Sequence, residues 1–129
     1  MLRNFLKSKL HQATITQAEL YYEGSLTIDE ELMEAADLKH YEKVSVVNIN
    51  NGERFETYVI TGERGTGTIC LNGAAARKGA VGDKIIIMSY CMVDNDKIDE
   101  HLPTVVLLDS KNKIKSITDS IQATNNGKK

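Results

Sequence analysis

Two neighbouring runs rich in β-branched residues, joined by a strong turn signal, constrain the fold of this chain more than any other feature. Residues 44–49 (Val-Ser-Val-Val-Asn-Ile) predict one strand, and residues 54–60 (Arg-Phe-Glu-Thr-Tyr-Val-Ile) predict a second. Asn51-Gly52 lies between them, and this dipeptide favours a hairpin because both of its residues tolerate positive φ. The sequence therefore predicts an antiparallel hairpin near the middle of the chain.

The other apolar runs are also short, which favours a mainly β fold over a helical one. The run at residues 84–90 is apolar on both faces and predicts a central strand. The remaining predicted strands are residues 1–22 (one or two strands, with 20–22 as strand), 68–71 and 105–108, which would be the last.

Two short helices are expected between these strands. Residues 29–36 carry acidic residues in the first turn, where the helix dipole favours them, and Thr27 or Asp29 can cap that turn. A second, brief helix can begin after Asn72 and end at Gly79. Short strands with two small helices predict a compact, mostly β barrel.

The length of 129 residues suits one domain, which we place at residues 1–110, and residues 111–129 are expected to form a flexible, lysine-rich tail. The net charge of −2 provides no bulk attraction to nucleic acid or to an anionic membrane. Cys70 and Cys91 are expected to be reduced thiols, and the three histidines are too scattered to predict a metal site. The N-terminus mixes charge into its apolar residues, so we expect no signal peptide and a cytoplasmic protein.

Gly24-Ser25 is the step with the most chemical potential. It follows the strand predicted at residues 20–22 and precedes the helix predicted near Asp29. Glycine allows backbone conformations closed to other residues, and serine places a hydroxyl beside the preceding carbonyl. A strained peptide there can be attacked by that hydroxyl, although on these two residues alone an ordinary turn is the better interpretation.

Several side chains could complete a site around Ser25. Lys9 and His11 share one face of an extended strand, and Arg54 and Tyr58 share one face of the second hairpin strand. Thr57 points to the opposite face from Tyr58. Taken singly, the cations are surface charges and Tyr58 is a packing residue.

The segment after residue 71 offers a second group of candidates. Asn72 can act as a donor in a site or cap the following helix. Gly73, Ala74 and Ala75 leave room for a ligand to approach the backbone, but they also suit close packing.

A series of motifs decides between these interpretations. Their order and spacing resemble aspartate 1-decarboxylases from the start of the chain to about Tyr90, and Tyr-Glu-Gly-Ser together with Asn-Gly-Ala-Ala-Ala is the specific combination. The motifs are Lys9-Leu10-His11, Tyr22-Glu23-Gly24-Ser25, Asn51-Gly52-Glu53-Arg54-Phe55, Thr57-Tyr58, Glu63-Arg64-Gly65, Asn72-Gly73-Ala74-Ala75-Ala76 and Val81-Gly82-Asp83.

The resemblance implies a double-psi β-barrel that assembles as a homotetramer with active sites between subunits. It implies a proenzyme that cuts its own Gly24–Ser25 bond into a β chain, residues 1–24, and an α chain, residues 25–129. An acyl shift, β-elimination and loss of ammonia would convert Ser25 into a covalent pyruvoyl group, so neither pyridoxal phosphate nor a metal is expected.

The reaction implied is decarboxylation of L-aspartate to β-alanine and carbon dioxide through a Schiff base, which supplies β-alanine for pantothenate and coenzyme A biosynthesis. A ketone suits this reaction because it accepts the electrons left by the departing carboxylate. Arg54 and Lys9 would meet the substrate carboxylates, and Tyr58 resembles the family's proton donor. The other implied roles fall to Thr57 (processing and substrate contact), Asn72 (close to the cleavage site), Gly73, Ala74 and Ala75 (substrate binding, partly through backbone) and His11 (support of the site).

Two alternatives stay open at this point. The chain could be a non-catalytic barrel that keeps the fold as a binding module. It could also be a serine hydrolase that uses Ser25 and His11, although no Gly-x-Ser-x-Gly motif surrounds Ser25. Whether processing needs a maturation factor is also left open.

Overall fold

The computed structural model describes residues 1–120, which form mostly strands with three short helices. The one α-helix, α1, is Glu30–Ala35, and two 3₁₀ helices span Gly73–Lys78 and Asn95–Glu100. None of the helices in this part of the chain is long and apolar enough to cross a membrane. The strands are β1 (Leu2–Thr14), β2 (Gln17–Glu19), β3 (Ser25–Asp29), β4 (Lys43–Asn48), β5 (Arg54–Gly62), β6 (Ile69–Asn72), β7 (Lys84–Asp94), β8 (Thr104–Leu108) and β9 (Ile114–Thr118).

Strands far apart in sequence lie side by side in the sheet, in the order β2-β6-β3-β5-β4-β7-β1-β8-β9. Three pairs are parallel, β1 with β8, β2 with β6 and β3 with β5, and the other pairs are antiparallel. β7 lies between β4 and β1, so the strand predicted from a run apolar on both faces is central, as expected.

One hydrophobic core joins strands from both ends of this order. Leu71 of β6 and Val106 of β8 are fully buried in the same cluster. The side-chain amide of Asn112 closes the structure further, because Nδ2 donates to the carbonyl oxygens of Thr14 and Gly67 at 2.9 and 2.8 Å. The sheet therefore wraps around its core as a barrel, and the predicted fold class, mainly β with short helices, is confirmed.

The predicted hairpin is present as β4 and β5. The two strands pair antiparallel, and the backbone amide of Asn48 donates to the Glu53 carbonyl at 2.8 Å where the loop begins. Gly52 has φ +78°, which agrees with the turn signal read from Asn51-Gly52. Asn48 also accepts from the backbone amides of Asn50 and Asn51, so its side chain stabilises the loop that it starts.

The chain before Ser25 differs from the prediction. Residues 20–22 form a turn, closed by a bond from the Tyr22 amide to the Glu19 carbonyl, and not a strand. Tyr21 is 95% exposed, so its high strand propensity has no packing partner to realise it. The strand instead begins at Ser25, as β3, which was not predicted. Leu26 and Ile28 of β3 are fully buried, and this burial stabilises the strand.

The predicted tail is also wrong in its first part. β9 pairs antiparallel with β8, so residues 105–108 are not in the last strand and the folded chain does not stop at residue 110. Ile114 packs against the core and Asn112 is 2% exposed, while Lys113 and Lys115 alternate with them. The prediction rested on the lysine content of this segment and therefore missed the strand. Residues 121–129 of the predicted tail lie outside the described residues.

Asp29 caps α1, as predicted, and also holds the loop before β6. Its Oδ1 accepts from the backbone amides of Glu31 at 2.8 Å and Gly65 at 3.0 Å, and Oδ2 accepts from Gly67 at 2.8 Å. Burial acts to raise the pKa of Asp29, but these three donors and the charge of Lys113 outweigh it, so the pKa lies below its usual value.

Replacement of Asp29 by asparagine should lower the free energy of unfolding by about 2 kcal/mol at neutral pH. The new side-chain NH₂ group would face the backbone N–H of Gly67, so two donors would meet without an acceptor. Because its pKa is lower in the folded state, the carboxyl group adds stability at pH values above its pKa in the unfolded state, about 3.9. This stability is lost as the pH falls through the pKa of the folded state. Thermal unfolding of both proteins at neutral pH and in acid tests this, with exposed Asp96→Asn as the control. An equal deficit at both pH values would contradict it.

Candidate active site

Ser25 and Asn72 face each other across two antiparallel strands. Ser25 begins β3, Asn72 ends β6, and their backbones are direct partners in the ladder. Ser25 is 4% exposed and Asn72 is 5% exposed. The Asn72 Nδ2 donates to Ser25 Oγ at 2.9 Å and to Thr27 Oγ1 at 2.8 Å. Asn72 stands at the N-cap position of the following 3₁₀ helix but makes no capping bond with its side chain, so the alternative role as a cap is excluded.

The Ser25 hydroxyl lies close to the backbone that it would attack. Its Oγ donates to the Glu23 carbonyl oxygen over a long 3.4 Å contact. The hydroxyl proton is therefore weakly held, while the side-chain N–H of Asn72 points at Ser25 Oγ. An N–H donor in this position stabilises negative charge that develops on a nucleophilic oxygen.

Gly73 makes the closest approach to this step. It has φ +65°, and a Cβ placed on it would lie 2.6 Å from both Gly24 Cα and Gly24 N and 2.7 Å from the Tyr22 carbonyl oxygen. Gly24 itself has no positive φ, and a Cβ there would meet only the Asn72 carbonyl oxygen at 4.0 Å. The glycine requirement expected at Gly24 is therefore found at Gly73.

A cavity of about 370 Å³ opens beside Gly24. Thr57 and Tyr58 both line it, although strand alternation had placed them on opposite faces. The small side chains of Ala74 and Ala75 form part of its wall, as expected for residues that leave room for a ligand. The full lining is Gly24, Phe55, Glu56, Thr57, Tyr58, Ala74, Ala75 and Lys78.

Arg54 lies next to this cavity without lining it. It contributes to a second cavity of about 260 Å³, which shares Phe55 and Glu56 with the first. The predicted carboxylate-binding cation is thus one strand position away from the cavity that contains Tyr58.

Lys9 and His11 are not brought to Ser25 within one chain. They line the same cavity, of about 610 Å³ over β1, β8 and β9, so the prediction that they share a face is confirmed. That cavity has no lining residue in common with the cavity at Gly24. Burial and then the charge of Lys9 lower the pKa of His11, and its buried Nδ1 has no hydrogen-bond partner among the described residues.

Two residues of the site were not predicted. Thr27 accepts from Asn72, and the Cys70 thiol donates to Asn72 Oδ1 at 3.2 Å. Period-two alternation places Thr27 beside Ser25 on β3 and Cys70 beside Asn72 on β6. Recognition of β3 as a strand would have revealed both.

Comparisons with known proteins agree with the motif series. The family described as aspartate decarboxylase matches residues 1–115. Aspartate 1-decarboxylase of Caldicellulosiruptor saccharolyticus is 65% identical over 114 residues, which cover 88% of this chain and 89% of the relative. That of Syntrophus aciditrophicus is 62% identical, covering 89% of this chain and 99% of the relative, and that of Ralstonia pickettii is 54% identical, covering 93% and 100%.

A designed protein, mkDPBB_sym_86, has a solved structure with a TM-score of 0.46 and 16% identity, covering 60% of this chain and 90% of its own. The family and the relatives match the chain over the segment in which its own motifs predicted the resemblance. This chain belongs to the aspartate decarboxylase family.

Proposed function

We propose that this protein is a proenzyme that cleaves its own Gly24–Ser25 bond and then decarboxylates L-aspartate to β-alanine and carbon dioxide. The observation that carries the proposal is the 2.9 Å bond from the Asn72 amide to the buried Ser25 hydroxyl. Membership of the aspartate decarboxylase family supports the substrate, and supply of β-alanine for pantothenate biosynthesis follows from it.

The first step uses only residues of the chain. Ser25 Oγ forms a bond to the Gly24 carbonyl carbon, the Gly24–Ser25 C–N bond breaks, and the hydroxyl proton passes to the nitrogen of residue 25. β-Elimination from the resulting ester removes the Cα proton of residue 25 and expels the Gly24 carboxylate. Hydrolysis then releases ammonia and leaves a ketone. The Asn72 N–H supports the oxygen in the first step, and Thr57, which lines the cavity beside Gly24, is proposed to assist processing.

The residues present fit a pyruvoyl group at position 25. Ser25 is buried, Asn72 contacts its side-chain oxygen, and the adjoining cavity at Gly24 holds Tyr58. A pyruvoyl ketone supplies the electron sink that decarboxylation beside an amine requires. No metal or pyridoxal phosphate enters the proposal.

The charges and sizes around the cavity favour a small diacid. Arg54 has a planar guanidinium that can bind a carboxylate through two parallel bonds, and Lys9 is proposed to add positive charge from a neighbouring subunit. Gly73, Ala74 and Ala75 leave the backbone open to the substrate. The Tyr58 hydroxyl lines the cavity and is proposed to return a proton to the carbon that loses its carboxylate.

Separation of the candidates into two surfaces supports a homotetramer with active sites between subunits. Lys9 and His11 line a cavity apart from the one at Gly24, and the buried His11 Nδ1 has no partner among residues 1–120. A neighbouring subunit would bring the two surfaces together, with His11 supporting the site. A soluble enzyme of this kind is proposed to work in the cytoplasm.

Intact mass and carbon dioxide release from labelled aspartate test the proposal together. We expect two fragments, residues 1–24 and 25–129, a blocked N-terminus on the larger fragment, and activity that hydroxylamine removes. A serine-directed phosphonate should leave that activity intact, which separates the enzyme from the serine hydrolase alternative. An uncut chain that releases no carbon dioxide would leave the non-catalytic barrel as the better interpretation.

Arg54→Gln should preserve cleavage but raise the KM for aspartate by about 10-fold to 100-fold, the cost of one charge-assisted contact. The fragment pattern reports cleavage, and steady-state kinetics report KM. Arg64→Gln is the matched control, because Arg64 pairs with Glu34 at 2.9 Å on the surface. An unchanged KM in Arg54→Gln would remove Arg54 from the proposed binding site.

A further inference from the structure

The Cys70 thiol contacts the far end of the amide that holds Ser25. Cys70 and Asn72 are two positions apart on β6, so their side chains share one face of the sheet. The Cys70 Sγ donates to Asn72 Oδ1 at 3.2 Å, while Asn72 Nδ2 points to Ser25 and Thr27. A single amide therefore connects the thiol to the hydroxyl that is proposed to attack Gly24.

The two ends of an asparagine amide are not equivalent for this chemistry. With Nδ2 toward Ser25, the amide donates to Oγ and supports negative charge on it. With the amide turned over, Oδ1 would accept a hydrogen bond from the Ser25 hydroxyl, and no N–H would remain to support negative charge on Oγ. The hydroxyls of Ser25 and Thr27 can each donate or accept, and the bond from Ser25 to the Glu23 carbonyl is long at 3.4 Å, so neither hydroxyl strongly selects an orientation.

The thiol is the group on the other side that can select one. Cys70 is 5% exposed, and burial raises the pKa of its thiol, with the Glu19 charge adding to the effect. The sulfur therefore keeps its proton at neutral pH. An S–H group satisfies the Asn72 carbonyl oxygen as a donor, whereas its sulfur is only a weak acceptor for an NH₂ group in the same place, so the thiol favours Oδ1 on its side.

We propose that Cys70 is a positioning residue for self-cleavage, which fixes the Asn72 amide with its N–H toward Ser25. This inference rests on the proposed function, because it concerns the step in which Ser25 Oγ bonds to the Gly24 carbonyl carbon and the Gly24–Ser25 C–N bond breaks. The role extends the site beyond Asn72 to a residue that does not line the cavity at Gly24.

The test compares the rate of chain cleavage in full-length Cys70→Ala and Cys70→Ser, followed by intact mass. Loss of one neutral hydrogen bond that supports the transition state predicts cleavage about threefold to tenfold slower in Cys70→Ala. Cys70→Ser keeps a donor but also offers an acceptor, so it should rescue in part and cleave at a rate between those of Cys70→Ala and the wild type. Cys91→Ala, at the half-buried second cysteine on β7, is the control and should cleave normally.

A double-mutant comparison separates positioning from a packing defect. With Asn72→Ala already present, Cys70→Ala should slow cleavage by less than about twofold, because no amide remains to be oriented. An equal slowing in both backgrounds, or failure of Cys70→Ser to rescue, would overturn the proposal. Cys70→Val provides a second variant without a donor if Cys70→Ala lowers the melting temperature.

The outcomes also distinguish failure of the role proposed for Cys70 from failure of the proposed function. A wild-type chain that never cleaves, even in a cell extract that would supply a maturation factor, refutes the proposed function and the role of Cys70 together. A wild-type chain that cleaves at the same rate as Cys70→Ala refutes only the role of Cys70.

Discussion

A chain that carries Ser25→Ala is expected to remain whole and to release no carbon dioxide from aspartate. The change removes one oxygen atom, which is both the proposed nucleophile and the atom that must leave with the Gly24 carboxylate before a ketone can form at residue 25. Among residues 1–120, no other hydroxyl makes both the bond to Asn72 and the contact with the Glu23 carbonyl. The loss should therefore be complete in both assays and not a matter of degree.

The fold should survive this substitution. The Asn72 NH₂ group keeps its bond to Thr27 at 2.8 Å, so the buried amide retains a partner and the loss of stability should be about 1 kcal/mol. Intact mass, carbon dioxide release and thermal unfolding measure the three quantities, and exposed Ser110→Ala is the matched control. Cleavage or activity in the Ser25→Ala chain would refute the proposed function.

Gly73→Ala should block self-cleavage nearly as fully as loss of Ser25, although every proposed reacting group is still present in this variant. The new Cβ would meet Gly24 Cα and N at 2.6 Å, while ordinary contacts begin at 3.4 Å. The Gly24 backbone must retreat by most of an ångström, which moves its carbonyl away from the Ser25 hydroxyl. Misplacement of this size can slow a reaction about 100-fold or more.

Gly52→Ala is the control that isolates this effect. Gly52 has φ +78°, close to the +65° of Gly73, but a Cβ there meets nothing within 4 Å. Alanine at either position carries the cost of a left-handed backbone, about 1–2 kcal/mol, and only Gly73→Ala adds the clash with Gly24. Cleavage is followed by intact mass. Equal cleavage rates in the two variants would show that the close approach at Gly73 is not required.

Local signals predicted the elements that local interactions determine. The β4–β5 hairpin follows from Asn51-Gly52, and α1 follows from Asp29 and the acidic first turn. β3 was missed for the opposite reason, because its partners β5 and β6 are distant in sequence and no local pattern predicts it. β9 pairs with β8, its neighbour in sequence, and was missed because the lysine content of this segment was interpreted as a polar tail.

The same distinction applies to the site. The motif series predicted Ser25 and Asn72, but their contact depends on the pairing of β3 with β6, which lie 47 residues apart at this point. Cys70 had only the appearance of a core residue because its role depends on that pairing. The steric demand of Gly73 could not be read either, since a glycine in a small-residue run gives no sign of the backbone packed against it.

The place of β1 in the sheet has a consequence for the cut protein. β1 lies between β7 and β8 and contributes the fully buried Leu10 to the core, yet it belongs to the proposed fragment of residues 1–24. After cleavage, this fragment is held by hydrogen bonds and packing alone. Unfolding then separates two molecules, so by mass action the stability of the mature protein depends on its concentration, while that of the uncut protomer does not. After denaturation, two separate fragments would have to reassemble a fold that the continuous chain first formed within one molecule.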